Sequence, residues 1–314
     1  MFKIRFIIFL VMLYYTTTLF ANGAGSTTCD FLLIDYSTKS SGMGSSYAGC
    51  FNHPDALIFN PAGLGFIRQN IFTASHLEYL AEMRYEYIAM VHKLYDDWNW
   101  GANIVYRGSD EVARDSKGRD IGEFVNRDIF ATFGAGYPVN KYFSFGIAAK
   151  VIYQRLFDRN GWTFAVDGGM HLQKQWKNVK FITGLSLMNL GPDISYDGAE
   201  GPLPILWRVS FGLDFSIKKH QFLITQDSRI IKKNEPDFSF GIEYKPNNYF
   251  GCRIGFVGGK EMTDFNSPRI GFSFYQKYGT FDYSFRRLKG LDDIHQISYT
   301  IPFGKGRWLT EMEK

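Results

Sequence analysis

The sequence predicts an all-β fold, a 14-stranded antiparallel transmembrane β-barrel with a short hatch or plug segment at its N-terminus. Three observations predict it: an aromatic-rich but not apolar composition, repeated two-residue alternation, and connections that alternate in length. Aromatic residues make up 18% of the 314 residues, with 30 Phe and 19 Tyr, yet mean hydropathy is −0.18. A bundle of membrane helices would be far more apolar, and a soluble globule must bury each large ring. A barrel in lipid reconciles the two values, because every second residue faces hydrocarbon and the others face a polar lumen.

The alternation is clearest where Ile205, Trp207, Val209, Phe211, Leu213 and Phe215 interleave with Arg208, Ser210, Gly212, Asp214 and Ser216. Successive side chains of a strand point to opposite faces, so one face is apolar and the other polar or bare. The pattern returns with Phe238, Phe240, Ile242 and Tyr244 against Ser239, Gly241, Glu243 and Lys245, and again around Asp282. A soluble β-sandwich also alternates. Its inner face is a packed core rich in Val, Ile and Leu, whereas here Phe, Tyr and Trp dominate and cluster near strand ends, as interfacial girdles do.

Fourteen strands follow, at 71–80, 83–94, 98–107, 126–137, 142–155, 163–175, 178–190, 205–216, 220–230, 237–246, 249–258, 268–277, 279–287 and 294–303. Every second connection is short, among them Tyr95-Asp96-Asp97, Lys218-Lys219 and Lys277-Tyr278. The opposite set holds all the long ones: 108–125, 191–204, 259–267 and 288–293. Outer-membrane barrels have short periplasmic turns and longer external loops. An even strand count then places both termini in the periplasm of a bacterial outer membrane, with membrane lipid as the surrounding partner.

The N-terminus has the organisation of a signal peptide over residues 1–21. Lys3 and Arg5 precede an apolar run to Leu13, and small residues suited to cleavage follow at Ala21 and Ala24. The alternative is an N-terminal anchor, but the run is shorter than the roughly 20 residues a spanning helix needs. Removing Lys3 and Arg5 lowers the formal charge of +4 by two, leaving no charge-based case for a nucleic-acid partner. Cys29 and Cys50 are candidates for a periplasmic disulfide, two unpaired thiols being the alternative.

Residues 22–69 do not alternate and form the expected hatch, ahead of a barrel at 70–303 and a periplasmic tail at 304–314. Asp55 to Phe59 suits one short helix, opened by Pro54 and stopped before Pro61. The hatch turn is Asn60, Pro61, Ala62 and Gly63. Asn60 is suited to cap it or bond across it, Pro61 fixes φ, and Gly42, Gly44 and Gly63 allow close backbone approach. Eight polar residues fall on the lumen side of predicted strands: Asp167, His171, Arg208, Asp214, Glu243, Arg269, Asp282 and Arg286. They give a lumen expected to be largely polar and laced with ion pairs. The six histidines, at 53, 76, 92, 171, 220 and 295, show no metal-site spacing. The Gly42–Gly49 segment lacks the Lys-Ser/Thr of a phosphate loop. Neither an enzyme nor a cofactor nor a metal is expected.

Gly42-Met43-Gly44, Asp55-Ala56-Leu57 and Asn60-Pro61-Ala62-Gly63-Leu64 resemble the start of the PorV/PorQ family of outer-membrane proteins, within the FadL-like barrel superfamily. Asn189-Leu190-Gly191-Pro192, Pro202-Leu203-Pro204 and the stretch from Leu291-Asp292-Asp293 through His295 to Phe303-Gly304 agree with it. Two stretches depart from the family pattern: Cys50-Phe51-Asn52-His53, where small and acidic residues are usual, and Cys29. The resemblance implies a 14-stranded barrel with an N-terminal hatch, a segment of a size to fit inside the lumen or to cap its periplasmic mouth. It also implies partners among type IX secretion components or their cargo proteins, in protein secretion or surface attachment. The alternative it carries is FadL-like transport of a hydrophobic ligand.

Overall fold

The computed structural model describes residues 27–46, 52–80, 83–94, 98–114, 116–231, 236–258, 268–288 and 292–304. The expected signal peptide, the Tyr95-Asp96-Asp97 turn, Cys50 and the tail beyond Gly304 lie outside the described residues.

Fourteen strands close into an antiparallel barrel. In chain order they are β1 (Asn70–Glu78), β2 (Arg84–Lys93), β3 (Asn99–Arg114), β4 (Asp120–Pro138), β5 (Phe143–Leu156), β6 (Arg159–Trp176) and β7 (Val179–Leu190), then, after two short strands, β10 (Leu206–Ile217), β11 (His220–Ile231), β12 (Asp237–Lys245), β13 (Phe250–Gly258), β14 (Arg269–Gln276), β15 (Gly279–Arg286) and β16 (Ile294–Phe303). Each pairs with its sequence neighbour, β7 pairs with β10, and β1 pairs with β16 from Asn70↔Phe303 to Glu78↔His295, so no edge is left open. Both ends of the barrel chain sit at the end that carries the turns 177–178, 218–219 and 277–278.

Burial runs opposite to that of a soluble protein. Phe133, Val151, Ile147 and Phe164 point outward and are more than half exposed, while Asp167 and Asp227 point inward and are fully buried. Apolar surface on this scale gains from burial at about 25 cal/mol per Å², and only lipid is available to supply it. The strand alternation expected from the sequence therefore does face hydrocarbon with its aromatic side.

Two long connections differ from expectation. The 108–125 segment is a continuation of β3 and β4, which run to 16 and 19 residues and pair beyond Arg107↔Asp128. Crossing a bilayer takes about 9–11 residues per strand, so this hairpin stands clear of the lipid. The 191–204 segment contains a small hairpin, β8 (Ile194–Tyr196) with β9 (Ala199–Gly201). It folds inward, burying Ile194 and Leu203 over the lumen.

The described hatch residues lie inside the barrel. They form a 3₁₀ turn at Asp30–Leu33, helix α1 (Thr38–Ser41), helix α2 (Ala56–Phe59) and a second 3₁₀ turn at Pro61–Phe66. Pro61 does more than stop α2, because it opens the following turn, where its missing N–H costs nothing.

Candidate functional site

The lumen is filled by the hatch, and the wall makes room for it with glycines. A Cβ on Gly146 would lie 2.3 Å from the carbonyl carbon of Pro61, and one on Gly169 would lie 2.0 Å from Asn60 Oδ1. On the opposite side, a Cβ on Gly255 would lie 2.0 Å from the backbone of Met43 and Gly44, and Gly42 lies against Gly271. Gly44 has φ +72° and approaches the Phe256 and Phe240 carbonyls, so it needs glycine for both conformation and space. Among the hatch glycines after Asn60, the close wall approach is made by Gly65 against Ser144 and Tyr137.

Asn60 locks one side of this seat. Its Oδ1 accepts the Ala62 N–H at 3.0 Å, capping the Pro61–Phe66 turn, and its Nδ2 donates to Met170 O at 3.0 Å on β6. Ser144 and Ser186 on the wall donate to Ala62 O and Phe59 O. The Ala62 N–H and the Ala62 and Phe59 carbonyls are thereby satisfied where they are buried, while Asn60 Nδ2 ties the hatch to a carbonyl of the wall. Gly63 is buried and donates its N–H to Asn60 O.

Charges lock the other side. Arg253 donates to Glu243 at 2.7 Å and pairs with Asp282 at 3.0 Å, and Lys39 of α1 reaches Glu243 at 3.7 Å. Arg208 pairs with Asp227 at 2.8 Å, donates to Ser45 O and lies over the Phe59 ring, and Arg269 donates to Ser45 Oγ. Asp167 pairs with Lys150 at 3.1 Å and accepts the N–H of Asn189. Asn189 itself has φ +61° beside an irregularity in the β6–β7 ladder, and it ties down Pro204 O. His171 lies edge-on to Phe66. Asp214 and Arg286 lie toward opposite ends of the lumen wall, Asp214 exposed beside Lys180 and Arg286 beside Arg269.

Lys39, Lys150, Asp227 and Arg253 were not singled out from the sequence. The last three occupy the polar phase of their strands, which is the signal that could have found them. Lys39 had none, because only the docked hatch brings it to the wall.

One part of the lumen wall carries an apolar cluster where a largely polar face was expected. On the inner face of β2 to β5, Tyr85, Tyr87, Val105, Phe130 and Ile152 form one apolar cluster. Phe31 and Tyr36 of the hatch fill it, Tyr36 with ring centroids 5.6 Å from Tyr85 and 5.8 Å from Phe130, and Phe31 6.1 Å from Phe130. Leu203 and Ile194 of the inward-folded connection cover it. On β3 to β5 the cluster shares the inner face with polar residues such as Asn103, Arg107, Asp128 and Lys150, so alternation gives no sign of it.

Cys29 stands at its margin, its Sγ 3.5 Å from Tyr196 OH, and burial pushes the thiol up to about 11. Cys50, the partner considered for it, is outside the described residues. Burial works against the Asp55 carboxylate, but His53 at 3.1 Å and the Tyr87 hydroxyl hold it below the usual carboxylate range.

The chain thus forms a closed 14-stranded barrel, apolar outside and plugged from its own N-terminus. Among solved structures, it is similar to the Pseudomonas putida toluene transporter TodX, with a TM-score of 0.55 and 14% identity over 85% of this chain and 97% of that one. It is likewise similar to the CymD monoaromatic hydrocarbon channel, with a TM-score of 0.53 and 14% identity over 84% of this chain and 96% of that one. These likenesses are of fold. No family model matches the chain, and no curated protein matches it.

Proposed function

We propose that the protein passes hydrophobic small molecules across the bacterial outer membrane, with both termini in the periplasm. The observation that carries this reading is the aromatic cluster of Tyr85, Tyr87 and Phe130, walled by aliphatic side chains and occupied by Phe31 and Tyr36. Small-molecule sites are mostly apolar, with a few placed polar groups. Arg107 and Asp128, paired at 2.9 Å, supply such groups at the edge. A ligand enters by taking the place of the hatch rings. The barrel then offers apolar surface already shaped for a ring, and water gains nothing from the exchange. The fold shared with hydrocarbon channels supports this reading.

The test is uptake of a labelled monoaromatic hydrocarbon by cells with and without the protein, beside a polar sugar of similar size. Hydrocarbon uptake several-fold higher with the protein, and sugar uptake unchanged, is the expected result. Equal hydrocarbon uptake in both strains would end this reading.

A second reading, protein secretion or surface attachment with type IX components, is favoured by the PorV/PorQ-like motifs at Gly42–Gly44, Asn60–Leu64 and Asn189–Pro192. Trp162, 71% exposed near the long-loop end, suits a partner anchor. Recovery of translocon proteins or cargo with the detergent-solubilised barrel is the outcome that would favour it over transport.

A further inference from the structure

Two inward-facing side chains beside the aromatic cluster have no role in the docking of the hatch. Asn103 on β3 and Thr132 on β4 are cross-strand neighbours. They are 5% and 2% exposed, yet among the described residues Asn103 Oδ1, Asn103 Nδ2 and the Thr132 hydroxyl have no hydrogen-bond partner. Buried polar groups are nearly always paired, and one left unpaired bears the full cost of its lost hydration.

Their place in the wall gives these groups a use. Val105 and Phe130, the next inward positions on the same two strands, belong to the cluster that Phe31 and Tyr36 fill. Two residues of a strand span about 7 Å, so a ring that takes the place of the hatch rings brings its substituent within reach of the pair. On the other side, Leu57 of α2 lies against Gly101 and Gly134, one inward position further along. Asn103 and Thr132 thus lie between the ring cluster and α2. The cations of this wall are already engaged. Lys150, opposite Thr132, donates to Asn189 at 2.6 Å and pairs with Asp167 at 3.1 Å, and Arg107 pairs with Asp128. What the pair offers is an uncharged amide and a hydroxyl, which together both donate and accept.

We propose that Asn103 and Thr132 bind the polar substituent of the transported molecule, and that the site favours a small aromatic compound with one uncharged hydroxyl over the bare hydrocarbon. The inference rests on the transport reading and narrows its ligand. A ligand hydroxyl accepts from Asn103 Nδ2 and donates to Asn103 Oδ1 or to the Thr132 hydroxyl. An analogue without it leaves buried polar groups unpaired, and sites of this kind discriminate strongly on that account. A carboxylate is disfavoured, because Lys150 and Arg107 already hold carboxylates of the wall.

The test compares p-cresol with p-xylene, which share one outline and differ by a hydroxyl in place of a methyl. Each labelled compound is dialysed to equilibrium against the full chain in detergent micelles, with protein-free micelles as the reference. p-Cresol should bind roughly tenfold more tightly, the worth of about one well-placed hydrogen bond. Asn103→Leu with Thr132→Val keeps the heavy-atom outline and should bring the two compounds to parity. Ser239→Ala, which removes a buried unpaired hydroxyl from β12, should leave the preference intact. Heat-modifiable migration on gels confirms that each variant is folded. Saturable binding of both compounds at equal strength would keep the transport reading and overturn this inference. So would a preference that survives the double substitution, or tighter binding of p-toluate than of p-cresol. If neither compound binds above the micelle reference, the transport reading falls and this inference falls with it.

Discussion

Gly255→Val releases the hatch from the wall while leaving the barrel closed. The wild-type contact is backbone on backbone: a Cβ at this position would sit 2.0 Å from Gly44 N, and neither β13 nor the Met43–Gly44 turn has a flexible side chain that could yield. Overpacking typically costs 1–3 kcal/mol, and here both sides are rigid, so about 3 kcal/mol is the expected loss of docking free energy. That corresponds to roughly a hundredfold change in a local opening equilibrium. It should appear as faster hydrogen exchange at the Ser41, Met43 and Ser45 amides, whose bonds run to Ser37 and Ser40. Gly168 has open space where a Cβ would point, so Gly168→Ala is the matched substitution expected to change nothing. Unaltered exchange in Gly255→Val would show that the hatch does not rest on this glycine.

Arg253→Met is expected to destabilise the barrel by about 3–5 kcal/mol, the cost of leaving a buried charge without its partner. Arg253 is fully buried between β12 and β15, and it is the ion-pair partner of Asp282 as well as the closest one to Glu243. Glu243 keeps Lys39 and Lys245, at 3.7 and 3.5 Å, whereas Asp282 keeps the Ser273 hydroxyl. Adding Asp282→Asn to Arg253→Met removes the stranded charge and should restore part of the loss. Heat-modifiable migration and urea unfolding in detergent measure both variants. A single substitution that unfolds at the wild-type midpoint would mean that water reaches this part of the lumen and screens the pair.

The strands were legible in the sequence wherever one face meets lipid and the other a polar lumen, as at β10, β12 and β15. Where both faces meet the same medium, the signal fails for a physical reason. Beyond Arg107 and before Asn126, β3 and β4 run past the length a bilayer needs, so their pairing continues without alternation in the sequence and the segment looks like a loop. At Tyr85 to Val91 the reverse holds: the lumen side is apolar because the hatch packs there, and the alternation is diluted from within. The hatch turn at Asn60–Gly63 was legible because Asn, Pro and Gly each carry a local conformational demand. The wall glycines that receive it, such as Gly146 and Gly255, were not, since a glycine on the lumen phase says only that no side chain is present. Pairing of Arg253 with Glu243 depends on the β12–β13 register, which sets Glu243 opposite Arg253 and which no single strand encodes.

Ion conductance across a planar bilayer puts the filled lumen to its most direct trial. Glycine seats, Asn60 and the charge lattice hold the described hatch residues against the wall, so the intact chain should hold the current at baseline, and a chain lacking residues 27–66 should conduct in large, steady steps. An intact chain that conducts as freely as the shortened one would mean that the hatch does not occlude the barrel.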